Sequence, residues 1–166
     1  MLASLLIGLV AGQRAMTPLG MLAAAAHRGA LPKGTPGRRW LARPWTQAGF
    51  LVLAAAEMAG DKMPSAPDRT IAPGLLGRML TAAFAGGVLA PRGRRKAGAA
   101  LAAAVALGSS FAGLALRRRL MAGLGRGPSG LAEDAAVTAL GLLAVDLAGR
   151  TGFEHAATRR FGRADR

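Results

Sequence analysis

The sequence predicts an all-α fold: a polytopic membrane helix bundle of about five spans, the first broken near Gly12 to Pro18. Three observations predict it. Hydrophobic residues are 52% of the chain but aromatics only 4%, and there are 24 glycines. That apolar content is mainly alanine and leucine, which suits helices packed closely through small residues in a membrane. Apolar runs of about the length needed to cross a bilayer, roughly 20 residues, recur along the chain. The formal charge of +14 gathers mostly in short segments between those runs, as in loops that flank membrane spans.

The same charge would suit nucleic acid, but the chain has no Tyr and few other aromatics to stack on bases. No nucleic-acid partner is therefore expected. The absence of cysteine excludes disulfides and thiolate metal sites, and neither a cofactor nor a metal is expected. At 166 residues the chain reads as one transmembrane helical domain, 1–148, with a basic cytoplasmic tail, 149–166.

The first span, 2–26, is apolar except for Gly12-Gln13-Arg14-Ala15-Met16-Thr17-Pro18. No basic residue precedes the apolar region and apolar character resumes at Leu19, unlike a secretory signal. Pro18 has no N–H to give the Arg14 carbonyl and its ring crowds that oxygen, while Gly12 loosens the turn before it. The helix should break there, leaving Arg14 and Thr17 at membrane depth, where an arginine is costly unless paired. Whether the segment crosses or turns back is left open.

The connector 27–43 is basic; His27 reads as a solvated span end, and Trp40 and Trp45 as interfacial anchors of the next span. The second span, 46–62, carries Glu57 and Asp61 in its last turns. Four residues apart on a helix, these carboxylates share a face. In a dry setting they would share a proton, hold a cation, or answer to Arg and Lys from elsewhere. Lys62, Pro64, Pro67, Asp68 and Arg69 follow, in a turning connector.

The third span, 71–90, contains Arg78 and ends at the basic knot Arg92, Arg94, Arg95 and Lys96. The fourth, 97–116, has no charge; its Gly108, Ser109, Ser110 and Gly113 favour close helix contact, making it the expected seam of a homodimer. It stops at Arg117-Arg118-Arg119. The glycine-rich 123–130 lacks the Lys-Ser/Thr of a phosphate loop and reads as a flexible turn. The fifth span, 131–148, starts with Glu133 and Asp134, where a helix dipole favours anions, and ends with Asp146 and Arg150 spaced for an i,i+4 ion pair.

Five crossings put the chain ends on opposite sides of the cell (inner) membrane. The basic connector, knot and tail then mark the cytoplasm, with the amino terminus outside. Glu57, Asp61, Glu133 and Asp134 meet Lys62, Arg69 and Arg78 in the outer half. Arg117 to Arg119 fall there too, against the charge rule. Either the first span is re-entrant, or carboxylates and phosphates hold these arginines; we favour the second.

Three elements carry a family resemblance: Gly12-Gln13-Arg14-Ala15-Met16-Thr17-Pro18; Glu57-Met-Ala-Gly-Asp61-Lys62-Met-Pro64 with Pro67-Asp-Arg69-Thr70; and Ala112-Gly113 with Arg117-Arg118-Arg119-Leu120, followed by Glu133-Asp134. Together they resemble a family of small bacterial integral membrane proteins catalogued as domain of unknown function 4126. The resemblance covers most of the chain apart from the tail. It implies a membrane location and a polar site made of these elements, and it brings no activity with it.

The leading functional expectation is a small transporter or flippase-like carrier of an anionic solute or lipid phosphate, among membrane lipids. Arg14, Thr17, Lys62, Arg69 and Arg78 would bind the substrate, and Glu57, Asp61, Glu133 and Asp134 would couple a proton or cation. A second expectation is a membrane-embedded enzyme on lipid phosphates, whose carboxylates hold Mg²⁺ and whose arginines clamp phosphate. Against it, the cluster holds no histidine and no nucleophile–base pair. A third is a structural or accessory membrane protein whose charges only fix helix packing.

Overall fold

Alanine- and leucine-rich runs form helices because straight or minimal side chains lose little rotamer freedom there. Among the described residues of the computed structural model, 1–31, 34–60, 72–124 and 126–161, there are seven helices and no strand. They are α1 (Leu2–Gln13), α2 (Thr17–His27), the single turn α3 (Arg38–Leu41), α4 (Pro44–Gly60), α5 (Ala72–Leu89), α6 (Arg95–Leu124) and α7 (Arg126–Phe161). The all-helical expectation is met.

Two of these, α5 and residues 95–117 of α6, are long and apolar enough to cross a membrane. Only 33% and 22% of their apolar windows are buried, so most of that surface faces outward. Leu51, Val52 and Leu53 on α4, Leu76, Leu80 and Phe84 on α5, Leu107, Phe111 and Leu116 on α6, and Leu142 and Leu143 on α7 are all exposed. Large apolar side chains are thus exposed on four helices.

The core is held by backbones at close range. Gly8 of α1 lies so near α6 that a Cβ would stand 2.7 Å from the Ala102 carbonyl oxygen, and one on Gly12 would overlap Ser109 Oγ. Gly86 of α5 and Gly98 of α6 are pressed together in the same way. Ser4 Oγ, between them, donates to the Gly86 carbonyl at 2.9 Å. The small-residue face of α6, at Gly98, Ala102, Ala106 and Ser110, is therefore spent on α1 and α5. Of the patch expected to seam a homodimer, Ser109, Ser110 and Gly113 also face α1, and only Gly108 has open space around it.

The first segment breaks where expected, and then turns back. α1 runs parallel to α6, from Ser4 beside Gly98 to Gln13 beside Gly113. α2 returns antiparallel to α4: Met16 meets Glu57, Gly20 packs on the Phe50 and Leu51 backbone and side chain, and His27 Nδ1 lies 3.0 Å from the Ala42 carbonyl oxygen. Met21 and Val10, one from each arm, both pack against Gly141 of α7. Beyond α2, the Gly34 carbonyl accepts from Arg95 Nη2 at the start of α6. The start of α1 and the end of α2 thus lie at one end of the bundle.

Gly149 of α7 lies at the same end, against the Ala30 carbonyl oxygen. Two boundaries also move. The glycine-rich 123–130 is not a loose turn but mostly helix on either side of residue 125, because Gly127 and Pro128 fall in the first turn of α7, where a missing N–H costs nothing. Likewise α7 does not stop at 148 but continues through Phe161, so Glu133 and Asp134 lie beyond its first turn.

Candidate functional site

The site forms at the apex of the turned-back segment. α1 ends when Arg14 leaves helical geometry, with φ −141° and ψ 111°. Pro18 sits in the first turn of α2, where its fixed φ favours a helix start. Between the arms the chain has backbone donors and acceptors that neither helix satisfies. Neighbouring side chains take them up.

Glu57, in the last turn of α4, places its carboxylate at the start of α2: Ala15 N–H donates to Oε1 at 2.7 Å and Met16 N–H to Oε2 at 2.8 Å. A carboxylate there gains from two charge-assisted bonds and from the positive end of the helix dipole. On the other arm, Ser110 Oγ donates to the Gly12 carbonyl at 2.9 Å and Ser109 Oγ to that of Leu9 at 3.2 Å. Gln13 Nε2 donates to the Ser109 carbonyl at 2.6 Å, in the space left by the missing side chain of Gly113.

Arg14 projects from the apex and is 1% exposed. Its Nη2 lies 2.5 Å from Oδ1 of Asp134, itself 14% exposed. This pair spans the chain from its first segment to its last and satisfies the requirement that a buried arginine be paired. One helical position away, Glu133 Oε2 lies 3.6 Å from Arg117 Nη1. An arginine of the unexpected triple is therefore held by a carboxylate. Arg78 is buried on α5, two turns from its start. Asp61, Lys62 and Arg69 lie outside the described residues.

Acids of α4 and α7 and the arginine of the first segment thus meet at one end, as the residue types suggested. Their partners differ from expectation. Glu57 answers backbone N–H groups of α2, and Arg14 is engaged by Asp134 rather than open to a solute. Gln13, Ser109 and Ser110 also belong to this layer. The signal for them was present, since Gln13 adjoins Arg14 and the serine pair interrupts an uncharged span. Among the described residues no group of three His, Cys, Asp or Glu side chains converges.

The opposite end is chemically different. Trp45 is exposed with the Arg43 guanidinium 5.6 Å above its ring, Trp40 meets Phe50 edge to face, and Asp146 pairs with Arg150 at 2.8 Å on the surface. Comparisons with family models, curated proteins and solved structures find no match to this chain.

Proposed function

We propose that this chain is a multi-pass protein of the cell membrane that binds an anionic solute or lipid phosphate at the α1–α2 apex and carries it across the bilayer. The observation that supports it most is the fully buried Arg14, paired with Asp134 at a helix break inside a bundle with an apolar exterior. Ionisable groups at membrane depth are costly and mark solute pathways, and broken helices offer their ends to charged ligands. Glu57, Glu133 and Asp134 are the carboxylates placed to exchange a proton or cation as the solute moves.

In this reading α4 to α7 cross the bilayer. α1, only 12 residues and thus about 18 Å long, falls short of the ~30 Å hydrocarbon core. With α2 it enters and returns as a re-entrant pair, and non-helical backbone at such depth is tolerated because protein surrounds it. This replaces five crossings with four. Both chain ends then lie on the cytoplasmic side, with Arg28, Arg38, Arg43, Arg92, Arg94 and Lys96 beside them.

The test is uptake of radiolabelled phosphate and of small carboxylates into proteoliposomes under an imposed proton gradient. Gradient-driven uptake that falls on Glu57→Gln supports the carrier; uptake indifferent to that change removes it. One observation favours the structural alternative: Arg14, Glu57 and Glu133 all already have partners in the chain. That alternative predicts no uptake of any anion together with lowered stability of the same variants.

A further inference from the structure

We infer that Glu57 occupies the ligand's own place: the start of α2 is an oxyanion cradle with donors from three consecutive residues, Ala15 N–H, Met16 N–H and the Thr17 hydroxyl, which takes a phosphate group when the Glu57 carboxylate withdraws. The inference rests on reading the apex as a binding site, and it names the ligand class.

The count of donors and acceptors carries it. A carboxylate has two oxygens, and here each accepts one backbone N–H, at 2.7 and 2.8 Å. The side-chain hydroxyl of the following residue is left over. Thr17 is 5% exposed, and its Oγ1 is buried with no hydrogen-bond partner among the described residues. Other buried hydroxyls of the bundle are not left this way: Ser4, Ser109 and Ser110 each donate to a carbonyl. Threonines inside helices do the same, half-buried Thr81 to the Arg78 carbonyl and exposed Thr138 to that of Asp134. Thr17 opens its helix and has no preceding turn to bond back to.

A buried hydroxyl without a partner forfeits the hydrogen bond it made to water, so its retention calls for a reason. Pro18, the following residue, has no N–H, so beyond Met16 this turn offers the N–H and the hydroxyl of Thr17. A tetrahedral phosphate presents a third oxygen where the planar carboxylate has none. Helix starts bind phosphate through this combination of backbone N–H groups and dipole. The Arg14 guanidinium, at the same apex, adds positive charge to the surroundings.

Glu57 acts in this arrangement as a tethered competitor: it covers the two N–H groups while the cradle is unliganded and must leave for a phosphate to enter. The same cradle would suit free phosphate or the headgroup of a phospholipid.

The experiment follows the thermal unfolding midpoint of purified protein in detergent during titration with inorganic phosphate, at constant ionic strength set with chloride. Glu57→Gln leaves one acceptor in place of two and removes the charge. It should respond to phosphate at roughly tenfold lower concentration than wild type, because the local competitor is gone. Adding Thr17→Val should abolish most of that gain, and acetate should act more weakly than phosphate. Glu57→Asp, which keeps the charge but shortens the tether, provides the same reading should the glutamine variant fail to fold.

Equal responses of wild type and both Glu57 variants, or a gain indifferent to Thr17→Val, overturn the inference. Nanodiscs of phosphatidic acid against phosphatidylcholine give the second arm. A gain confined to phosphatidic acid assigns the lipid headgroup, and one confined to free phosphate assigns a soluble ligand. Phosphate uptake by wild-type proteoliposomes without this gain overturns the inference and leaves the carrier standing; the gain without uptake does the reverse.

Discussion

Two ion pairs of similar length sit at the two ends of this bundle. Arg14 and Asp134 meet at 2.5 Å with side chains 1% and 14% exposed; Arg150 and Asp146 meet at 2.8 Å with side chains 73% and 51% exposed. The first joins segments 120 residues apart, the second is one helical turn on α7. Geometry alone would rate them equal. Their surroundings do not: water screens the second and competes for both its partners, whereas removing either member of the first strands a charge in a dry layer. The end that holds the buried, mutually engaged pair is where the proposed ligand site lies. The end with many exposed arginines is a solvated face.

Substitutions sharpen that contrast in a definite order. Asp134→Ala should have the largest effect, a loss of about 3–5 kcal/mol from an uncompensated buried guanidinium, read as a fall in unfolding midpoint in detergent. Glu57→Gln should follow, at about 1.5–3 kcal/mol for charge-assisted bonds given up at the start of α2. Gly12→Ala tests the packing beside that layer. A methyl there overlaps Ser109 Oγ, and overpacking of this kind costs about 1–3 kcal/mol. Asp146→Asn should change the midpoint least, by less than about 0.5 kcal/mol. If Asp146→Asn costs as much as Asp134→Ala, the distinction between the two ends fails.

The break in the first segment was legible because Gly12, Arg14 and Pro18 all act locally, through backbone sterics and the cost of a buried charge. The Asp146–Arg150 pair was legible for the same reason, as an i,i+4 spacing. The turn back of α2 was not, since hydropathy is the same whether an apolar segment crosses or returns. The choice of Asp134 for Arg14 was equally hidden, because helix-on-helix packing through Gly8, Gly12 and Gly98 decides which faces meet. The early start and late end of α7 are not legible, because glycine, proline and polar residues in sequence resemble a loop. In the first turn of a helix proline is tolerated, and the arginine, glutamate and alanine of its last stretch are adequate helix formers.

The proposed carrier requires the basic end and the apex end of the bundle to face opposite sides of a membrane. The chain has no cysteine, so single cysteines report position without background. Leu2→Cys and Arg94→Cys should both react with a membrane-impermeant maleimide only from the cytoplasmic side. Gly60→Cys, at the end of α4 with open space around it, should react only from the other. Labelling of Leu2→Cys and Arg94→Cys from opposite sides would contradict the re-entrant pair, and labelling of all three from one side would contradict the membrane bundle itself.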